Sequence, residues 1–423
     1  MLTVILSAAS ITLCIIGPMP AAKAQINLPT EATESSSTPD DLRERLRRLQ
    51  EGAQAASESP VPDYFDGRAR FPTLGSTIFD AQLARYLAYV EAVGTPDVLI
   101  VGSSRALQGI DPTELRYRLS VEGYDNLKVY NFGVNGATAQ VVNFIVSELL
   151  PGELPEVIVW GDGSRAFNEG RRDRTWESLL SSAGYQSVLR GEKPAVADSR
   201  SADSADSTDS VVRSGGSLTV MEDGDLEGAD LEDGDLEPDA DEPIRLNIEQ
   251  LGIDRLGFVA VRDRFNPAIY YRQFARVQGR YDGAYSSFTL GGSQSEALAQ
   301  LAAFLSTRES QLIFVNLPLS DSYLDSYRLR YENRFKDFLV AQRDRHGFEL
   351  IDLLTQWRSQ PELFADPSHI NQYGAAAIAQ QLARHSTFLL TIDPAINPAI
   401  DPAINPAIDP VRQNDIEPSS MTF

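Results

Sequence analysis

Two short segments of the chain carry residue types able to do nucleophilic chemistry. Val101-Gly102-Ser103-Ser104-Arg105-Ala106 sets a serine just after an apolar run, where Gly102 permits a tight backbone path. A serine so placed stands above a sheet edge, with its own N–H and the next ones directed at whatever the hydroxyl attacks. The same segment reads equally as a serine N-cap opening a helix, which needs no catalysis. The second segment is Ala365-Asp366-Pro367-Ser368-His369-Ile370-Asn371. Its histidine is one of three in the chain, the others being His346 at a charged helix end and His385 on an ordinary helix, both read as surface residues. His369 falls in a loop, three residues after Asp366. A carboxylate at that spacing can accept a hydrogen bond from one ring nitrogen and leave the other to act as base. The alternative is that Asp366 or Ser368 caps the following helix and His369 merely packs.

The elements that must position these residues alternate along the chain. Asp97–Val101, Leu127–Phe132, Glu156–Trp160, Gln311–Val315 and Phe348–Asp352 are short apolar runs, several ending in Gly, Ser or Asn, as buried parallel strands do. Between them, Thr113–Leu119, Thr138–Leu150, Ser295–Leu305, Tyr323–Arg343 and Ala375–Leu390 carry apolar residues at helical spacing, and Ile78–Val93 supplies a helix before the first strand. Strand and helix in alternation predict right-handed crossovers and a parallel sheet covered by helices. Ligands then bind beyond the carboxyl ends of the strands, where both candidate segments lie.

Taken together the motifs are more specific than either alone. Gly102-Ser103-Ser104 after a first strand, Asn131-Phe-Gly-Val-Asn-Gly136 after a second, a glycine-containing turn after a third and Asp366-x-x-His369 near the end resemble the blocks of the SGNH/GDSL hydrolase superfamily. More narrowly, Trp160-Gly-Asp-Gly-Ser-Arg-Ala-Phe-Asn168 and the run Tyr270-Tyr271…Gly279-Arg280-Tyr281 are similar to a largely uncharacterised SGNH-like family known mainly from cyanobacteria. The resemblance implies an α/β, flavodoxin-like three-layer sandwich, with a five-stranded parallel sheet of order 2-1-3-4-5 and helices on both faces. It implies Ser104 as nucleophile, His369 as its base and Asp366 as the group that orients His369. The N–H groups of Ser104 and Gly136 would form part of the oxyanion hole. The superfamily's third block carries an Asn that donates to the oxyanion, whereas Gly163 stands in that turn here; Gly163 or Asn168 is the candidate replacement. The Gly-Ser-Ser form itself resembles envelope acyl-transfer relatives, such as those of alginate O-acetylation and teichoic-acid D-alanylation, more than the Gly-Asp-Ser lipases.

Arg105, Arg165, Tyr270 and Tyr281 are candidate substrate contacts. Tyr270, Tyr271, Tyr281 and Tyr285, interleaved with Arg272, Arg276 and Arg280, would make a sugar-stacking wall or an anion-binding lip, or would pack over the sheet edge. The functional expectation is a serine esterase or O-acyltransferase acting on an acylated envelope or extracellular polysaccharide. The competing expectation is a non-catalytic envelope protein that binds glycan or assists a membrane-bound O-acyltransferase.

The rest of the sequence sets limits. The net charge of −23 is uneven, since about a dozen of some twenty residues between Glu222 and Glu242 are Asp or Glu. No basic stripe is present, so nucleic acid is not an expected partner. An apolar run from Leu2 to Gly17, followed by Ala22-Lys23-Ala24 before Gln25, reads as an export signal over 1–24 and a periplasmic or extracellular destination; retention as an anchor is the alternative. Cys14, the only cysteine, lies inside that segment, so no disulfide or Cys metal site is expected after cleavage. Residues 25–73 read as a flexible tether, 195–243 as a disordered acidic insertion and 392–423 as an extended Pro-rich repeat tail. The ordered domain is thus expected over 74–194 and 244–391. Asp223-Gly-Asp225-Leu-Glu227-Gly228 begins like a calcium loop but meets Gly234 where a bidentate Glu is required. No Gly-Lys-Ser/Thr follows the Gly-Ser-Ser turn, so neither a metal nor a phosphate cofactor is expected.

Overall fold

The apolar runs become five parallel strands: β1 (Val98–Gly102), β2 (Val129–Gly133), β3 (Val157–Asp162), β4 (Gln311–Asn316) and β5 (Glu349–Asp352). The computed structural model describes residues 71–195, 251–274 and 283–393. The expectations for the export signal, the tether up to residue 70, the acidic insertion from residue 196, the tail from residue 394 and Tyr281 lie outside those residues.

The strands pair in the order β2-β1-β3-β4-β5, the order that the resemblance implies. Strands from before and after the acidic segment share this one sheet, with Val157 to Asp162 in register with Gln311 to Asn316. Because side chains alternate across a strand, each strand feeds two cores. Leu99, Val101, Tyr130, Phe132, Ile158, Trp160 and Phe314 enter one, and Val98, Ile100, Val129, Val159, Ile313 and Ile351 enter the other. Burial on both faces explains why the runs are continuously apolar rather than alternating.

The helices, in chain order, are α1 (Thr77–Val93), α2 (Ser104–Gly109), α3 (Pro112–Val121), α4 (Ala139–Phe144), α5 (Arg174–Leu180), α6 (Ala183–Leu189), α7 (Pro267–Gln273), α8 (Ser293–Ser306), α9 (Ser326–His346), α10 (Gln372–Leu382) and α11 (Ser386–Ile392). Residues of α1, α4, α8 and α9 close the first core. Residues of α3, α10 and α11 close the second, giving helices on both faces of the sheet. Full burial of side chains such as Phe79, Leu87, Leu301 and Phe335 contributes roughly 2 kcal/mol each.

Several boundaries differ from those expected. The Thr138–Leu150 helix is α only to Phe144 and continues as a π turn over Ile145–Leu149. The expected Ala375–Leu390 helix divides into α10 and α11, with His385 as the N-cap residue of the second. The start of α9 moves from Tyr323 to Ser326 because Asp325 caps it, accepting from the Arg328 N–H at 2.8 Å. Thr73, placed in the tether, is instead tied to α1 through its Oγ1, which donates to Asp80 at 2.6 Å. Among the described residues no helix is long and apolar enough to cross a membrane.

Candidate active site

The turn after β1 is made by close approach rather than by strain at the serine. Gly102 has φ +141°, and a Cβ there would lie 2.2 Å from the Gly161 carbonyl oxygen of β3, so only glycine lets the two strands meet. Ser103 then caps α2, its Oγ accepting from the Arg105 N–H at 3.3 Å. The serine cap expected as an alternative to catalysis is therefore real, but Ser103 makes it and Ser104 is left free. Asp162 at the end of β3 fixes this turn. It accepts from the Ser103 N–H at 3.1 Å, the Ser103 hydroxyl at 3.0 Å and the Gly163 N–H at 2.9 Å. Burial pushes the Asp162 pKa upward, against the pull of nearby Arg105 and these donors.

Asn131 ties the helix that begins at Ser104 to β2. Its Nδ2 donates to the carbonyls of Ala106 at 2.8 Å and Ile110 at 2.9 Å, while its Oδ1 accepts from the Gly133 N–H at 2.9 Å. Gly133 has no room for a side chain, since a Cβ would lie 2.5 Å from the Leu107 nitrogen. The helix thus rests directly on the backbone of β2.

The His369 loop follows β5 and is held from below by Asn371. That residue caps α10 through its Oδ1, at 3.0 Å from the Tyr373 nitrogen and 3.1 Å from the Gly374 nitrogen. Its Nδ2 donates to the carbonyls of Asp263, Glu362 and Phe364. The cap role offered to Asp366 or Ser368 therefore belongs to Asn371, and Asp366 is left for the histidine. Asp366 Oδ1 accepts from the N–H groups of Ser368 at 2.7 Å and His369 at 2.8 Å. Its Oδ2 accepts from His369 Nδ1 at 2.7 Å.

His369 Nε2 then lies 3.0 Å from Ser104 Oγ. A carboxylate can only accept, so Nδ1 must carry the proton, and in the neutral ring Nε2 then accepts from the serine hydroxyl. Burial acts most strongly on Asp366 and would raise its pKa. The His369 ring beside it, together with the Ser368 and His369 N–H groups, outweighs burial and holds the carboxyl well below the usual range. Its side chain is still 36% exposed, against 9% for His369, so water reaches one edge of the pair.

The sheet register places the flanking loops. Gly102 pairs with Gly133 on one side and with Gly161 on the other, so Ser104 stands between the loop after β2 and the turn after β3. Gly136, in the first of these, has φ +70°, which suits glycine. Among the described residues, neither the Gly136 N–H nor the Ser104 N–H meets a backbone acceptor outside regular elements. Both remain candidate donors to an oxyanion.

Gly163 and Asn168 do not serve in that way. The Gly163 N–H is spent on Asp162. Asn168 is buried and committed to the neighbouring loop, donating to the Ala284 and Ser286 carbonyls and accepting from Gly170 and Thr289. Arg105 is buried, its Nη2 donating to the carbonyls of Leu317 at 2.5 Å and Pro318 at 2.9 Å. Arg165 lies over the Tyr323 ring, with its Cζ 5.8 Å from the centroid, near enough to Arg105 to depress its pKa, after the larger effect of burial. Tyr270 is half-buried; burial, then Tyr271, then the Asp366 charge push its phenol pKa up. Tyr285 is interior rather than part of a lip, its hydroxyl donating to Glu332 and its ring stacked near Phe288 and Tyr331.

Sequence reasoning missed Asp162 and Asn371 as organisers of the site. Both left a trace: a carboxylate closing an apolar strand run, and an Asn three residues before Gly374 at a helix start.

No family model and no curated protein matches the chain. Solved structures with similarity include a lipolytic protein of the G-D-S-L family from Veillonella parvula, at 12% identity and TM-score 0.30 over 69% of this chain and 97% of that one. TesA is 14% identical, with TM-score 0.32, over 71% of this chain and 99% of its own. An alpha/beta hydrolase from the metagenome of Lake Arreo, Spain, is 14% identical, with TM-score 0.31, over 71% and 95% respectively. Identity and TM-score are both low, so the functional reading rests on the residues of this chain.

Proposed function

We propose that this protein is an exported serine esterase or O-acyltransferase acting on an acylated envelope or extracellular polysaccharide. The observation that carries the reading is the continuous hydrogen-bonded line from Ser104 Oγ through His369 to Asp366. Ser104 Oγ adds to the ester carbonyl carbon while His369 Nε2 takes the hydroxyl proton, and the carbonyl π pair moves onto oxygen. Asp366 holds the ring in the required tautomer and stabilises the imidazolium that forms. The Ser104 and Gly136 N–H groups face the developing charge. Collapse expels the alcohol, which takes its proton from His369, and leaves an acyl-serine. Water or a sugar hydroxyl, activated by the same histidine, then accepts the acyl group.

The export assignment draws on the apolar run from Leu2 to Gly17 and the small-x-small pattern after it. The polysaccharide assignment draws on the resemblance to envelope acyl-transfer proteins and on Tyr270 and Arg165 beside the site. A membrane-bound O-acyltransferase is the candidate protein partner, as one source of the acyl group for transfer. The test is release of acetate or p-nitrophenol from an acetyl ester by protein lacking residues 1–24. Ser104→Ala should abolish that release and labelling by a fluorophosphonate probe; activity unchanged in this variant would remove Ser104 from the mechanism.

The absence of an amide side chain at Gly163 favours a second reading, a non-catalytic glycan-binding protein. That reading requires no probe labelling together with measurable glycan binding.

A further inference from the structure

Arg105 is buried to 5% exposure, yet its guanidinium is only half used. Nη2 is anchored on the Leu317 and Pro318 carbonyls, whereas Nη1 has no hydrogen-bond acceptor among the described residues. Nη1 occupies a defined place: a Cβ built on Gly163 would lie 1.8 Å from it. Gly163 has extended backbone, with φ −156°, that any residue adopts. What keeps a side chain out of position 163 is therefore the guanidinium itself.

The register says where that place is relative to the nucleophile. Gly102 of β1 pairs with Gly161 of β3, so Ser104 and Gly163 each lie two residues beyond the same rung. Asp162 draws the two turns together through Ser103. On the other flank of Ser104, the Val134 N–H donates to the Gly102 carbonyl at 2.9 Å, which brings in the loop that holds Gly136. Ser104 is thus bracketed by the Gly136 loop on one side and Arg105 Nη1 on the other. The charges around Arg105 include a second guanidinium, Arg165, besides Asp162 and Glu332. A group held this firmly, with an unpartnered cationic donor at the turn after β3 beside the serine turn, suits charge that develops during reaction.

Resting on the serine-ester reading above, we propose that Arg105 is a catalytic residue, its Nη1 donating to the oxyanion from the position where a side chain on residue 163 would otherwise project. The oxyanion then receives two neutral N–H groups and one cationic donor. No proton leaves the guanidinium, and the covalent steps are unchanged.

The test measures kcat and KM for p-nitrophenyl acetate, together with the melting temperature, in four proteins. Arg105→Ala should lower kcat by ~10²–10³-fold with KM changed only a few-fold. Gly163→Ala keeps the arginine but drives Nη1 from its place, and should lower kcat by at least ~10-fold with the fold intact. The double variant Arg105→Ala/Gly163→Asn puts an amide donor into the vacated space and should be at least ~10-fold faster than Arg105→Ala. A merely structural arginine would lower melting temperature and gain nothing from Gly163→Asn. Full kcat in either single variant, or a double variant no faster than Arg105→Ala, overturns the assignment; if Arg105→Ala does not fold, Gly163→Ala decides alone. An unsubstituted protein inert to both the ester and a fluorophosphonate would instead sink the serine-ester reading, and this one with it.

Discussion

Ser104 Oγ and His369 Nε2 stand 3.0 Å apart although 265 positions separate them in the chain. They meet because parallel strands all open at one end. Ser104 follows β1 and His369 follows β5, so both loops rise from the same edge of the sheet. Neither residue is near the other in sequence, and no local rule joins them.

If the pair acts as one unit, its losses do not add. Ser104→Ala and His369→Ala should each lower kcat for an acetyl ester by roughly 10⁴–10⁶-fold, and the double variant should be no slower than the worse single one. Comparison of kcat across the three variants checks this. Additive losses would mean that the two side chains act in separate steps.

Asp366→Asn separates orientation from anchoring. The amide oxygen can still accept from the Ser368 and His369 N–H groups, but its NH2 faces His369 Nδ1 with a donor where an acceptor is needed. The ring should adopt the other tautomer, and kcat should fall by about 10⁴-fold with little change in KM. The pH dependence of stability has a defined sign. The native carboxyl is held below the ordinary value of 3.8, so its stabilising contribution is complete above that value and is lost as pH falls toward the native pKa. The gap in melting temperature between wild type and Asp366→Asn should be constant above about pH 5 and close on acidification. A gap that widens toward acid would contradict the lowered native pKa of Asp366.

Much of this arrangement was legible in the sequence. Glu156-Val-Ile-Val-Trp160 and Gln311-Leu-Ile-Phe-Val315 declared buried parallel strands because both their faces are covered, and the strand order came only as what the family resemblance implies. The candidate set was legible because Ser104 falls just after the first such run and the Asp366–His369 loop follows the last. What was not legible depends on contacts between distant segments. Nothing local to Asn168 shows that its amide is spent on Ala284 and Ser286. Likewise Tyr285 reads as one of a tyrosine run, but Glu332, 47 positions later, draws it inside. Arg105 reads in the sequence as a candidate substrate contact, and nothing local shows that it is buried and anchored on the Leu317 and Pro318 carbonyls. Only the missing side chain at Gly163 makes room for it.

Asp162 is the strut on which the Ser103–Ser104 turn depends. Asp162→Ala would leave the Ser103 N–H, the Ser103 hydroxyl and the Gly163 N–H without their acceptor and would unbalance the charge of Arg105. The expected cost is about 3–5 kcal/mol, which is on the order of 10 °C in melting temperature for a domain of this size. Thermal unfolding followed by circular dichroism measures it; a loss under about 1 kcal/mol would show that water replaces the carboxylate without strain.

Asn131 tests whether anchoring of α2 matters to chemistry or only to stability. Asn131→Leu keeps the volume but leaves the Ile110 carbonyl and the Gly133 N–H unpartnered in the interior, and leaves the Ala106 carbonyl only the Ile110 N–H at 3.3 Å. A cost of about 2–3 kcal/mol is expected from the two orphaned groups, read as a lower urea midpoint at unchanged slope. The released carbonyls belong to the helix that Ser104 begins, so the hydroxyl should also drift from His369. A displacement near 1 Å at a reacting atom costs about 10²-fold in rate, so kcat should fall by that order under conditions where the variant remains folded. A variant that loses stability yet keeps its kcat would show that the Asp162–Ser103 contact alone fixes the nucleophile, and that Asn131 serves only to seat the helix on β2.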